Sequence, residues 1–138
     1  MSYTNFTLDV DADGIALVTW NMPDRSMNVF TEEVMRELNA IVDHVAGDAA
    51  IKGAVITSGK DTFSGGADIT LLQKMLGAFA ADKAKDLGKA TKALFDNAGV
   101  MTGLFRKVET SGKPWVSAIN GTCMGGAFEL SLACHGRV

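Results

Sequence analysis

A chain of 138 residues with 47% hydrophobic residues and a formal net charge of −3 has the composition of one globular domain with a sizeable core. Its 13 basic and 16 acidic residues are interspersed, which argues against a nucleic-acid surface, and charges interrupt every apolar run before the roughly 18 residues of a membrane span. The opening residues, MSYTNFTLDVDADG, lack a basic segment followed by an apolar block. They therefore match neither a secretory signal nor a transit peptide, and the expected compartment is the cytoplasm.

The few cysteines and histidines limit the metal and redox chemistry of the chain. Cys123 and Cys134 do not have CxxC spacing, so we expect two reduced, buried thiols. His44 and His135 are the only histidines, which argues against a His-based metal site. We expect no metal and no tightly bound cofactor.

The first elements in chain order are a hairpin and a helix. Alternating apolar residues at 6–10 and an apolar run at 15–20, joined by a turn at Asp13-Gly14, predict two antiparallel strands. After a loop with Pro23 and Asn28, Thr31 and two glutamates are typical of a helix start. The apolar residues of this helix lie on one face: Val34, Leu38, Ile41, Val42 and Val45. The helix should end at Gly47.

The middle of the chain predicts a strand followed by two helices. Residues 53–58, GAVITS, are almost continuously apolar, which predicts a strand covered on both faces. FSGGADI, residues 63–69, then gives a strand, a glycine-rich loop and a helix start. Apolar residues recur at helical spacing in two stretches: Leu71, Leu72, Met75, Leu76 and Phe79, and then Leu87, Leu94, Ala98, Met101, Phe105 and Val108, the second weakened by Gly88, Gly99 and Gly103. These side chains suit a wall that adapts to an apolar ligand, but core packing is the plainer alternative.

A second glycine-rich segment follows at residues 113–134, KPWVSAINGTCMGGAFELSLAC. Trp115, Val116, Ala118 and Ile119 predict a short strand after Pro114, broken by Asn120-Gly121, and Gly125-Gly126 precede a helix. Residues 135–138 look like the entry to another strand. The alternation of strands and helices predicts an α/β domain of ββα or βα units, and we expect the chain to be a fragment of a larger domain.

The two glycine loops predict an oxyanion hole, if each donates one backbone N–H to the same carbonyl oxygen. Glu129, one turn into the second helix, would then act as general acid or base. Its apolar neighbours predict that Glu129 is buried. Alternatively, each Gly-Gly pair is only a tight turn and Glu129 only a favourable charge at a helix start. Asp68 is predicted to cap a helix or stabilise its loop.

Other glycine-loop chemistries are disfavoured. The spacing Gly121-x-x-x-Gly125-Gly126 does not match GxGxxG, and no GK[ST] follows a glycine loop, which argues against dinucleotide and P-loop sites. There is no GxSxG, and neither Ser64 nor Ser131 has a candidate histidine partner.

FSGGADI and KPWVSAINGTCMGGAFELSLAC resemble the two signature segments of the crotonase, or enoyl-CoA hydratase/isomerase, superfamily. The stretch between them is most similar to the hydratase region of multifunctional fatty-acid oxidation α subunits, in which a 3-hydroxyacyl-CoA dehydrogenase follows. The resemblance implies a ClpP/crotonase-like spiral of ββα units. Residues 1–138 would be the N-terminal portion of that domain, which is therefore incomplete.

Several residue roles follow from the resemblance alone. Ala67 and Gly126 match the two oxyanion-hole N–H donors, and Glu129 matches the first catalytic glutamate. The positions expected against the coenzyme A substrate are Gly66, Asp68, Ile69, Gly125 and Arg25, although Arg25 is alternatively a solvated surface charge. The second catalytic glutamate would lie beyond Val138.

Two positions depart from the pattern of many members. Ala127 and Phe128 precede Glu129 where many members have a third glycine, and we expect Phe128 to narrow or reshape the pocket. His135 takes the place of an aspartate.

The resemblance implies an enoyl-CoA hydratase of fatty-acid β-oxidation, which adds water to trans-2-enoyl-CoA. An enoyl-CoA isomerase and a non-catalytic acyl-CoA-binding or assembly module are the alternatives, and the isolated chain is expected to be inactive. NAD would be needed only if a dehydrogenase domain follows. The expected partners are the acyl-CoA substrate and, in the full-length protein, a homo-oligomer or a thiolase-containing complex.

Overall fold

A computed structural model describes residues 2–138, which form an α/β domain around one mixed sheet. The elements in chain order are β1 (Phe6–Val10), β2 (Ile15–Trp20), α1 (Glu32–Gly47), β3 (Gly53–Ser58), α2 (Ile69–Asp82), α3 (Leu87–Glu109), β4 (Trp115–Ser117), α4 (Gly126–Ala133) and β5 (Gly136–Arg137). The strand order is β1-β2-β3-β4-β5, with β1 antiparallel to β2 and every later pair parallel. The α/β prediction is confirmed, including the strand entry at the last residues.

The hairpin and the first helix form as predicted. The turn between β1 and β2 is closed by the Gly14 N–H, which donates to Asp11 O at 3.1 Å. Thr31 caps α1 by accepting a hydrogen bond from the Val34 N–H at 3.2 Å. All five predicted apolar residues of α1 are fully buried against the sheet and α3. The periodicity of the sequence therefore places this helix correctly.

β3 is buried on one face only, so the prediction of a strand covered on both faces is wrong. Ala54 and Ile56 are buried, whereas Val55 between them is half-buried. In the register of the sheet Val55 pairs with Leu17 of β2, which is 42% exposed. The sheet face that carries these two residues is open in the part of the chain that the structure describes.

The core is centred on aromatic side chains below the two glycine loops. The Trp20 ring lies 4.8 Å from that of Phe30 and 6.5 Å from that of Phe63, centroid to centroid. Phe105 of α3 packs edge-on against Phe30 at 5.6 Å. Rings at these separations and tilts stabilise one another beyond their apolar burial. The loop that begins at Phe63, and that pairs with Phe30 through Ala67, thus rests on a well-packed base.

The helices α2 and α3 differ from their prediction in burial. α3 runs unbroken through its three glycines. Only residues near the two ends of this helix are buried, and Phe95 between them is 76% exposed. α2 has no buried side chain, and Leu76 is 60% exposed. The prediction that these apolar residues pack in the core is therefore wrong for most of them. No helix within residues 2–138 is both long and apolar enough to cross a membrane.

The last elements are shorter than predicted. Ala118 and Ile119 lie beyond β4, although the Ala118 N–H still donates to Ile56 O at 2.9 Å. Both cysteines are free, but only Cys134 is buried, so the predicted burial of Cys123 is wrong. Burial raises the pKa of the Cys134 thiol to about 11, even though the Arg137 charge opposes the shift.

Candidate active site

The two glycine loops run side by side, as the sequence predicts. The Phe63 and Ser64 N–H groups both donate to Thr122 O, at 2.9 and 3.0 Å. The Met124 N–H returns a hydrogen bond to Ser64 O at 3.1 Å, which makes a short parallel bridge between the loops. Main-chain hydrogen bonds therefore fix the position of one loop against the other.

Gly66 allows the closest approach between the loops. Its φ is +87°, a left-handed conformation that favours glycine. A Cβ atom at Gly66 would lie 2.7 Å from Met124 O and 3.3 Å from Gly126 N. Neither space nor backbone conformation accepts a side chain here, and the backbone of Gly66 consequently lies directly against Gly126.

The Ala67 N–H points away from the neighbouring chain segment. Gly66 O accepts a hydrogen bond from the Phe30 N–H at 2.8 Å, and the Asp68 N–H donates to Phe30 O at 3.0 Å. Gly66 C=O and the Ala67 N–H belong to one trans peptide group, in which the two bonds point in opposite directions, so the Ala67 N–H faces away from Phe30. It donates no hydrogen bond within residues 2–138.

The second unpaired donor is the N–H of Gly126, the first residue of α4. Gly125 precedes the helix with φ +50° and makes no side-chain cap. The N–H groups of a first helical turn lack intrahelical partners. Among the described residues no acceptor takes the Gly126 N–H, whereas the next one, from Ala127, donates to Met124 O at 3.1 Å.

The burial predicted for Glu129 is wrong, because its side chain is exposed. α4 is apolar nearly all round, yet its buried residues are Gly126, Ala127, Leu130 and Ser131, with Ala133 partly buried against the core. Glu129 lies on the open side with Phe128, which is 48% exposed. The expectation that Phe128 narrows or reshapes the pocket stays a prediction.

Asp68 caps α2, as predicted. Its carboxylate accepts hydrogen bonds from the main chain of Thr70, at 2.8 Å, and from the Thr70 hydroxyl. Arg25 forms an ion pair with the same carboxylate at 3.0 Å and remains 49% exposed. The Thr70 hydrogen bonds, followed by the Arg25 charge, hold the pKa of Asp68 below its ordinary value although burial opposes them. Arg25 is thus paired and half-exposed, and Ile69 at the start of α2 is 69% exposed.

A largely apolar cavity of about 820 Å³ lies between α1, α2 and α3, and Ala67 is part of its wall. Its apolar lining residues are Met35, Ala67, Leu71, Leu72, Met75, Ala78, Ala98, Val100, Met101 and Leu104. Met101 also reaches Gly126, since its sulfur lies 2.9 Å from where a Cβ of that glycine would be. The cavity therefore borders both loops, and the adaptable-wall alternative describes α2 and α3 better than core packing does.

Asn28, to which sequence reasoning assigned no role, is fully buried beside the first loop. Its side-chain nitrogen donates to Trp20 O at 2.8 Å and to Ser58 Oγ at 2.9 Å, and lies 3.3 Å from Phe63 O. The usable signal is an amide between apolar neighbours, Met27 and Val29, since a buried polar group requires partners.

A family model described as enoyl-CoA hydratase/isomerase matches residues 11–138. The chain belongs to the enoyl-CoA hydratase/isomerase family. It is 36% identical over 134 residues to the fatty acid oxidation complex subunit alpha of Idiomarina loihiensis, and 40% identical over 134 residues to that of Shewanella frigidimarina. Each match covers 96% of this chain and 17% of the relative, so the chain spans about a sixth of the length of these curated relatives.

A solved enoyl-CoA hydratase/isomerase from Xanthobacter autotrophicus Py2 superposes with a TM-score of 0.77 at 25% identity. The match covers 99% of this chain and 46% of that one. The crotonase-like fold is therefore confirmed, and the roles of the individual site residues stay predictions.

Proposed function

We propose that this chain contributes the oxyanion hole of an enoyl-CoA hydratase of fatty-acid β-oxidation. The observation that carries the proposal is the pair of unpaired N–H groups, from Ala67 and Gly126, on adjacent loops beside an apolar cavity. Membership of the enoyl-CoA hydratase/isomerase family and the naming of the curated relatives as fatty acid oxidation complex subunit alpha support it.

In this reaction the oxygen of water bonds to the β-carbon of a trans-2-enoyl-CoA, the electron pair moves to the thioester oxygen, and a proton then adds to the α-carbon. The Ala67 and Gly126 N–H groups would hold the negative thioester oxygen. Each such donor is worth about 10²–10³ in rate. Glu129 would transfer a proton at the reacting carbons or water, a role worth about 10²–10⁴. Hydration would also use the second glutamate that the family resemblance leads us to expect.

The coenzyme A moiety would lie across the exposed ends of the two loops. Gly125 leaves backbone exposed there, the buried Gly66 lies directly beneath Ala67, and the main chain at Asp68 and Ile69 would contact coenzyme A. Arg25 keeps half of its surface exposed while it pairs with Asp68, at a second, more polar cavity of about 580 Å³. We assign it a coenzyme A phosphate, since guanidinium groups bind phosphate oxygens well.

An isomerase is the second candidate. It is favoured because Asp68 already caps α2. Because Asp68 is committed to the N-cap of α2, Glu129 is the remaining carboxylate among the proposed site residues. One carboxylate is enough to move a proton between C2 and C4 of a 3-enoyl-CoA, whereas hydration uses a pair.

The test is an assay of the complete protein with crotonyl-CoA and with a 3-enoyl-CoA, together with titration by acetoacetyl-CoA. Hydration of crotonyl-CoA supports the proposal. Double-bond migration without hydration favours the isomerase, and binding without turnover favours an acyl-CoA-binding or assembly module. Absence of both binding and turnover contradicts all three. The isolated 138-residue chain, run in parallel, is expected to be inactive.

We propose further that the complete protein is multifunctional and cytoplasmic, and that it forms a homo-oligomer or a complex that contains a thiolase. The support is the name of the curated relatives, which refers to a complex. The hydratase step itself needs no tightly bound cofactor, and NAD would serve only a following dehydrogenase. Reduction of NAD after addition of crotonyl-CoA to the complete protein tests this arrangement.

A further inference from the structure

Asn28 lies in the segment between β2 and α1, fully buried, at the base of the loop that carries Ala67. We propose that Asn28 is a positioning residue for the Ala67 oxyanion donor. The proposal rests on the function proposed above. The position of the Ala67 N–H would then depend on one side chain that contacts neither the substrate nor the reacting atoms.

The side chain of Asn28 joins three separate parts of the chain. Its nitrogen donates to the end of β2 at Trp20 O and the end of β3 at Ser58 Oγ, and it lies 3.3 Å from Phe63 O at the start of the loop. Its oxygen accepts the Met22 N–H at 3.0 Å. An amide supplies two donor hydrogens and one acceptor oxygen, so both ends of this side chain are engaged.

The main chain of Asn28 holds the loop directly. Asn28 O accepts hydrogen bonds from the Gly65 N–H and from Ser64 Oγ, both at 2.9 Å. The Ser64 hydroxyl oxygen in turn accepts the Gly66 N–H at 3.1 Å. The three residues before Ala67 are therefore tied to Asn28 through main-chain or side-chain hydrogen bonds.

Together these contacts explain why the Ala67 N–H makes no internal hydrogen bond and keeps a fixed direction. The direction of that N–H is set by the peptide groups on either side of it, and the preceding one is held through Ser64 and Asn28. A displacement of about 1 Å in a group of this kind costs about 10² in rate. Losing the Asn28 amide would let the loop shift without removing any group that touches the substrate.

The test uses Asn28→Asp in the complete protein. Aspartate keeps the shape and the acceptor for the Met22 N–H but removes the amide donors to Trp20 O and Ser58 Oγ. We expect kcat for crotonyl-CoA hydration to fall about 10- to 100-fold with KM nearly unchanged. Amide hydrogen exchange at residues 63–68 should accelerate while α1 keeps its protection.

Two further variants separate positioning from general destabilisation. Ser64→Ala removes only the hydroxyl between Asn28 O and the Gly66 N–H, and it should give the same pattern with a smaller fall in kcat. Val45→Ala is the control for stability, because Val45 is fully buried near the C-terminal end of α1 and lines neither of the two cavities. It should lower the melting temperature and leave kcat unchanged.

Normal kcat and normal exchange at 63–68 in a folded Asn28→Asp protein would overturn the proposal. If Asn28→Asp does not fold, Ser64→Ala decides: wild-type kcat and exchange in that variant also overturn it. An equal fall in kcat for Val45→Ala would show a general stability effect and count against positioning. If the wild-type protein does not hydrate crotonyl-CoA, the proposed function fails, while the exchange measurement still judges the role of Asn28.

Discussion

The two glycine loops and the α2–α3 pair border the same cavity but are built in opposite ways. The loops are tied by main-chain hydrogen bonds to each other and to buried residues such as Asn28 and Ser64. α2 has no buried side chain, and large apolar residues of both helices, Leu76 and Phe95 among them, are exposed. The difference separates two requirements of one site: donors that must not move, and a wall that can adapt to its ligand.

Glycine shows the same contrast at single residues. At Gly66 a Cβ atom would meet Met124 O at 2.7 Å, and the φ of +87° disfavours any side chain. At Gly77, Gly99 and Gly103 in the two helices a Cβ atom would meet nothing within 4 Å. Glycine is thus required in the loops and only tolerated in the helices.

Glu129 gives the largest expected effect on the loop side. Glu129→Gln in the complete protein should lower crotonyl-CoA hydration about 10²–10⁴-fold, because the general acid or base is lost. Since the side chain is exposed, the melting temperature should stay the same. Steady-state kinetics and thermal unfolding check both parts. Glu109→Gln at the exposed end of α3 is the control, and full activity of Glu129→Gln would contradict the assigned role.

Gly66→Ala should damage both the site and the fold. A left-handed alanine costs about 1–2 kcal/mol, and the overlap with Met124 O adds roughly 1–3 kcal/mol of unfolding free energy. The shifted loop should lose one oxyanion donor, about 10²–10³ in kcat. Denaturant unfolding and kinetics measure these effects. Wild-type values for both would show that the loop is not held as described.

Asp68 lies where the first glycine loop meets α2, and its charge should stabilise the fold in a pH-dependent way. Its folded pKa is lowered, so this contribution is present above the unfolded pKa and is lost as the pH falls through the folded pKa. A charge-assisted hydrogen bond contributes about 1.5–3 kcal/mol. Asp68→Asn keeps a capping oxygen but should flatten the acid side of the stability profile below about pH 4. Parallel profiles for the two proteins would exclude this role.

Met101 tests the adaptable wall. Met101→Ala should open the cavity beside Gly126 and shift the preference toward bulkier acyl chains by at least about tenfold in kcat/KM, because even one methylene in an apolar pocket has effects of this order and the substitution removes three heavy atoms. Met101→Leu, which keeps the volume, is the control. An unchanged ranking of acyl-CoA substrates in the alanine variant would show that Met101 does not limit the cavity.

Gly99→Ala should have the smallest effect and the opposite sign. It replaces a helix-interior glycine that has open space around it, which should stabilise the fold by about 0.5–1 kcal/mol with kcat unchanged. Chemical denaturation measures the gain. If Gly99→Ala destabilised the fold as much as Gly66→Ala, glycine would be required in the helices as well as in the loops, which contradicts the contrast between them.

The elements and the site loops were predictable because their signals are local. Thr31 with its acidic first turn marks the start of α1, and the apolar spacing of that helix identifies its buried face. The Gly-Gly pairs at 65–66 and 125–126 mark both loops, and the signature segments connect them to the family. Local patterns of this kind report backbone conformation directly.

Burial was predicted poorly where apolar composition did not correspond to packing. Phe95, Leu132 and Val55 are apolar but exposed or half-buried, and Glu129 is exposed on a helix of apolar sequence. Composition records which side chains can be buried, while the neighbours that cover them depend on tertiary contacts. The role of Asn28 was missed for the same reason, since its partners at Trp20, Ser58 and Phe63 are 8 to 35 residues away along the chain.

The central claim is that the Ala67 and Gly126 N–H groups bind one oxygen together. The most direct test is a crystal structure of the complete protein with acetoacetyl-CoA, whose thioester oxygen resembles the oxyanion. The thioester oxygen of the ligand should lie within about 3 Å of both nitrogen atoms. A thioester oxygen that contacts only one of the two nitrogens, or neither, would contradict it.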